Sequence, residues 1–149
     1  MQRRGVASRA LLGFAALLML AGGTAHGLAL HKAAAVIDAA NLSKHYAAMF
    51  KGLWLRDAAV VSWVGLAYLM LALWPRLATK AALGVLGAIP LATAISIYST
   101  VGNFAPADLL IACAVLVLIA ALLKPGNSLT SPEQSPARAE RVSGPKDHR

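Results

Sequence analysis

The stretch HKAAAVIDAANLSKHYAAMFKGLWLRD, residues 31–57, stands between two long uncharged runs, and the way it is read decides how the rest of the chain is arranged. At 100° per residue it places Leu42, Tyr46, Met49, Phe50 and Leu53 on one face and Asp38, Asn41, Lys44, His45 and Lys51 on the other. That pattern predicts an amphipathic helix over about residues 33–55. Its apolar face suits the boundary between head groups and acyl chains, and its lysines suit anionic head groups.

On either side the chain becomes apolar. Upstream, MQRRGVASR carries three arginines and no acid, and ALLGFAALLMLAGGTAHGLAL, residues 10–30, follows. A basic segment, an apolar run and small residues near Gly23–Gly27 fit a cleaved secretory signal. The same run is long enough to span about 30 Å of hydrocarbon, and the retained helix is the preferred reading. Downstream, AAVVSWVGLAYLMLALW, residues 58–74, is uncharged and is bracketed by Trp54 and Trp74, as interfacial aromatics bracket a span. Residues 81–98 and 107–123 are two further uncharged or nearly uncharged runs. Pro90 removes one backbone donor from the middle of the first of these and should kink it, a kink tolerated in a bilayer when a neighbouring helix or a hydroxyl re-satisfies the freed carbonyl. Gly84, Ala88, Ala92 and Ser96 recur at i+4 along it, a face that lets a second backbone approach closely, and that face is expected to be buried between the helices. Pro106 and Asp108 suit the first turn of the last helix.

Composition agrees with the runs. Only 13% of residues are charged while 58% are hydrophobic, against about 25% charged in soluble domains. The expected fold is all-α: an integral membrane four-helix bundle, residues 1–123, with an extra amphipathic interfacial helix between spans 1 and 2. Residues 124–149 are rich in Pro, Ser and charge and read as a disordered cytoplasmic tail. The net charge of +8 does not point to nucleic acid, because the bases lie in the segments between and outside the apolar runs rather than on one periodic face. With both termini inside, ten Lys and Arg face inward and four outward. The positive-inside rule therefore puts both termini in the cytoplasm and residues 31–57 outside the inner membrane of a bacterial cell.

The residues able to carry chemistry gather near the outward ends of the spans. His26, His31 and His45, with Asp38 sharing a helical face with His45, are the metal-ligand candidates, since imidazole and carboxylate suit a divalent ion. No HExxH, no CxxC and no His pair at i, i+4 accompanies them. Only His26 lies in an apolar run, so two haem ligands on facing helices are not available within the spans. Tyr46, Trp54, Arg56, Asp57 and Asp108 are the ligand-binding candidates: a charged pair beside aromatics at a helix entrance can hold an anionic or quinone-like head group. The plainer role is structural, with Asp57 capping the start of span 2, Arg56 reaching lipid phosphates and Trp54 anchoring at the interface. The single cysteine, Cys113, lies in an apolar run and reads as a packing residue. No GxSxG elbow accompanies Ser62, Ser96 or Ser99.

The segment FKGLWLRDAAVVSWVGLAYLMLALWPRL, Phe50 to Leu77, followed by a small-residue helix, the link VGNFAP and a last apolar run, resembles the DoxX-like families of small four-helix bacterial membrane proteins. The resemblance covers about Tyr46 to Leu123. It implies a compact four-helix bundle, often without assigned activity, with some relatives associated with quinone-linked respiratory complexes.

Together these readings lead to a non-enzymatic accessory or interaction protein, set in the lipid bilayer and packing against a membrane protein partner or a second copy through small-residue faces. The alternative is an outward-facing protein that holds a quinone, lipid or metal beside a membrane redox complex. A small transporter is a weaker alternative, because no Asp, Glu, Lys or Arg lies at depth in the spans.

Overall fold

A computed structural model describes residues 2–124 of the chain; the tail expected from residue 125 onward lies outside the described residues. Five helices follow in order: α1 (Gln2–Leu28), α2 (Leu30–Ala39), α3 (Lys44–Leu73), α4 (Lys80–Thr100) and α5 (Ala105–Leu123). There is no strand among the described residues. All but α2 are long and apolar enough to cross a membrane. The chain is thus built as a helical, multi-pass membrane protein.

The helix α1 lies between α3 and α5, α4 packs along α5, and α2 packs on the first part of α3. Both neighbours of α1 run antiparallel to it. Arg9 Nε donates to Ala72 O at 2.9 Å at one end, while Gly23 sits against Ala58 and Ser62 at the other. On its opposite side Ser8 Oγ donates to Ala120 O at 2.8 Å, and Gly22 faces Leu109. Leu12, Ala15, Ala16 and Met19 of α1 are buried at helical spacing, as are Ala107, Leu110, Cys113, Ala114, Val117 and Ala120 of α5.

Small residues set the helix spacing. A Cβ on Gly23 would meet the Ser62 hydroxyl and come within 2.9 Å of Ser62 N and 3.0 Å of Ala58 O, so only glycine fits there. One on Gly65 would come within 3.0 Å of Leu20 N. In apolar surroundings this close approach maximises dispersion contact, which drives helix association where lipid is as apolar as the helices.

The carbonyl freed by Pro90 is satisfied from another helix. Proline at 90 cannot donate to Leu86 O four residues back, and Tyr68 of α3 donates its hydroxyl to that oxygen at 2.8 Å. The Tyr68 side chain is fully buried, and α4 stays helical through Pro90. This bond ties α3 to α4, completing contacts that otherwise run through α1 and α5.

Three expectations are corrected. The amphipathic helix expected over 33–55 is two helices, because the chain breaks at Ala40–Ser43. Asn41 takes a left-handed φ of 52° and Ser43 caps α3, its side chain accepting from Tyr46 N at 3.4 Å. The second part does not end at 55 but continues unbroken into the span expected at 58–74, giving one 30-residue helix of about 45 Å. Asp57 therefore lies well inside α3 and caps nothing. Finally, the face Gly84, Ala88, Ala92, Ser96 is not buried: the last three are exposed, and a Cβ on Gly84 would meet nothing within 4 Å. The packed stripe of α4 is Leu83, Gly87, Pro90 and Ala94.

Because α4 and α5 have 21 and 19 residues, about 30 Å each, α2 and the first part of α3 extend past their ends as a helical hairpin arm. Trp54 on α3 and Trp74, which caps the C-terminal end of α3, are twenty residues apart and mark a length of about 30 Å, that of a hydrocarbon core.

Candidate functional site

The arm's root is where α1 hands over to α2 alongside α3. Here the His26 ring stacks on the Trp54 ring, centroids 4.2 Å apart and planes within 8°. Trp54 Nε1 also donates to His26 O at 2.7 Å, so one indole holds both the ring and the backbone of His26. His26 Nε2 is buried and meets no partner among the described residues. An unpaired buried ring nitrogen costs about 1–3 kcal/mol, which the stack offsets in part.

The other candidates fall elsewhere. His31 is exposed, its Nδ1 2.8 Å from Leu28 O three residues back. His45, at the first turn of α3, meets the Tyr46 ring edge-on at 5.8 Å. Asp38 does not orient His45, because the break at Asn41 takes the two off a common helix. Instead it pairs with Lys51 across the hairpin, with Nζ 2.7 and 2.9 Å from its two oxygens. Among the described residues no three His, Cys, Asp or Glu side chains gather as a metal would need. His26, His31 and His45 are therefore not brought together.

Arg56 and Asp57 are both exposed and approach each other at 3.5 Å. Asp108 lies in the first turn of α5 and accepts from the Tyr98 hydroxyl of α4. Tyr46 is 55% exposed on the arm. Of the five ligand-binding candidates, only Trp54 touches another candidate residue on a different helix, His26.

Two features escaped sequence reasoning. The face of α3 turned toward the protein in the arm is Ala47, Lys51 and Trp54, leaving Tyr46, Met49, Phe50 and Leu53 exposed. Opposite the arm, Lys124 donates to Pro75 O at 2.7 Å and also to Ala78 O, joining the end of α5 to the α3–α4 link. Burial there pulls the Lys124 ammonium below the ordinary lysine pKa. The need for a donor at Leu86 O was legible from Pro90, but which hydroxyl would meet it was not.

Comparison with protein-family models, with curated proteins and with solved structures gives no match.

Proposed function

We propose that the protein is a non-enzymatic accessory protein of a bacterial inner membrane, a four-helix bundle that associates with a membrane partner or a second copy through α4. The observation that carries this reading is the face Gly84, Ala88, Ala92, Ser96, which repeats small residues at i+4 and is left uncovered by the chain's own helices. Lipid-facing positions are ordinarily filled by large aliphatic side chains. An uncovered small-residue groove is instead the geometry in which a second helix packs backbone to backbone. The scattering of the outward candidates supports association over a quinone or metal pocket.

Orientation rests on charge. Arg3, Arg4, Arg9, Arg76, Lys80 and Lys124 lie at one end of the spans, and Lys32, Lys44, Lys51 and Arg56 at the other, six described bases against four. The positive-inside rule makes the first end cytoplasmic. Reporter fusions after Arg149 and after Lys44 should then read opposite sides. Retention of α1 is supported by its place between α3 and α5, where Leu20 packs on Gly65 and Ala15 lies against Cys113.

The test is oligomeric state and partner retention of the full chain in lipid nanodiscs, with Gly84→Ile and Ala88→Ile against wild type. The association should be lost in both variants while helical content is kept. A wild-type chain that is monomeric and retains no membrane protein, or variants that associate as wild type does, would overturn the reading.

A further inference from the structure

The end of the molecule opposite the arm collects positive charge around one short link. Trp74 to Thr79 joins α3 to α4 and carries Arg76, with Lys80 immediately after it at the start of α4. Arg9 reaches this region from α1 through its bond to Ala72 O, and Lys124 reaches it from α5 through its bonds to Pro75 O and Ala78 O. Four cations from four parts of the chain thus converge, and none has an acidic partner among the described residues. Arg9 and Lys124 are anchored by carbonyls, which fixes their positions. Arg76 and Lys80 are exposed and make no side-chain hydrogen bond among the described residues, so their donors face outward. The first turn of the 21-residue α4 adds its positive dipole end to the same place.

The surroundings of these charges are apolar. Leu73, Trp74 and Leu77 are 56, 57 and 50% exposed, and Leu122 is 81% exposed, one turn or less from the cations in sequence. A free anion would gain nothing from that surface, whereas a phospholipid matches both parts: phosphate against the cations and acyl chain along the exposed leucines and Trp74. Arginine in particular offers paired donors that fit phosphate oxygens.

We propose that Arg9, Arg76, Lys80 and Lys124 form a binding site for the phosphate of an anionic phospholipid. The site holds one end of the bundle in register with a negatively charged leaflet. Lys80 lies one turn before Gly84 on α4, but the site needs no protein partner. Its contribution comes from charge concentrated where head groups lie, since each Lys or Arg near an anionic surface adds a comparable increment of attraction.

The test uses the full-length protein in mild detergent, equilibrated with equal amounts of phosphatidylglycerol and phosphatidylcholine of matched chains, with retained lipid counted by native mass spectrometry. Wild type should retain phosphatidylglycerol preferentially. The double variant R76Q/K80Q removes two charges that make no internal bond, and should lower that preference about tenfold or more. The variant K32Q, which removes an exposed charge from α2 at the other end of the molecule, should leave it unchanged. Equal retention of the two lipids by wild type would overturn the proposal, as would an undiminished preference in R76Q/K80Q or an equal loss in K32Q. A parallel arm adds inorganic phosphate: retention that persists supports a lipid site, and displacement at millimolar concentration shows a free-anion site instead.

Discussion

Replacing Tyr68 with Phe removes one hydroxyl and tests how α4 tolerates a proline in its middle. In the wild-type chain the Tyr68 hydroxyl is the donor to Leu86 O, at 2.8 Å, because Pro90 has no N–H to offer. Tyr68→Phe therefore leaves an acceptor without a donor in apolar surroundings, a loss of about 1–3 kcal/mol. Hydrogen bonds between helices in bilayers average only about 0.6 kcal/mol, because the partners find substitutes when apart. Here the substitute is missing by construction, so the upper part of the range applies. In a Pro90→Ala background the helix supplies its own N–H to Leu86 O, and Tyr68→Phe should then cost about 0.5 kcal/mol. The difference, about 1 kcal/mol or more, is the coupling between Tyr68 and Pro90. Cavity effects of Pro90→Ala, which are considerable because Pro90 is fully buried, cancel within the cycle. Unfolding in mixed micelles can be followed by circular dichroism and by thiol labelling of Cys113, the single and fully buried cysteine. Equal losses in the two backgrounds would refute the assignment of this hydroxyl to the carbonyl freed by Pro90.

Glycine substitutions should separate a packed from an open position. Gly23→Ala drives a methyl into the Ser62 and Ala58 backbone and should destabilise the α1–α3 contact by about 1–3 kcal/mol, whereas Gly84→Ala meets nothing and should stabilise by up to about 1 kcal/mol in the same micelle titration. In the arm, Asn41→Val forces a β-branched residue to a φ of 52°, at a cost of about 1–2 kcal/mol, and Asn41→Gly should restore it. Since no residue of α2 is buried, hydrogen exchange should quicken in α2 while α4 and α5 keep their protection; a global loss of protection would contradict the independence of the arm.

The boundaries of α4 and α5 were legible in the sequence because each apolar run is closed by strong local signals. Lys80 after Thr79 opens α4, and Pro106 with Asp108 marks the first turn of α5; expected spans of 81–98 and 107–123 compare with Lys80–Thr100 and Ala105–Leu123. In the run from Tyr46 to Trp74 the polarity changes at Arg56–Asp57, but no structural break accompanies that change. Polarity tells where solvent changes, while a helix ends only where backbone hydrogen bonds stop. The true stop signals, Asn41 and Ser43, lay inside the stretch assigned to one helix. The candidate residues lie near one end of the spans, but their pairings depend on helix rotation. His26 meets Trp54 because α1 and α3 approach at Gly23 and Gly65, and Asp108 meets Tyr98 because α4 lies on α5.

The amino-acid order alone therefore determined that the chain is helical, apolar enough for four crossings, and basic at the ends of those crossings that the positive-inside rule places together. Tertiary structure alone decided which side of each apolar helix is covered. In α4 the stripes Leu83–Gly87–Pro90–Ala94 and Gly84–Ala88–Ala92–Ser96 sit side by side on one cylinder, and hydropathy does not distinguish them. In water a helix reveals its buried face by contrast with a polar one. Where lipid and protein interior are equally apolar that contrast vanishes, and only the close approach of a neighbouring backbone settles which face turns inward.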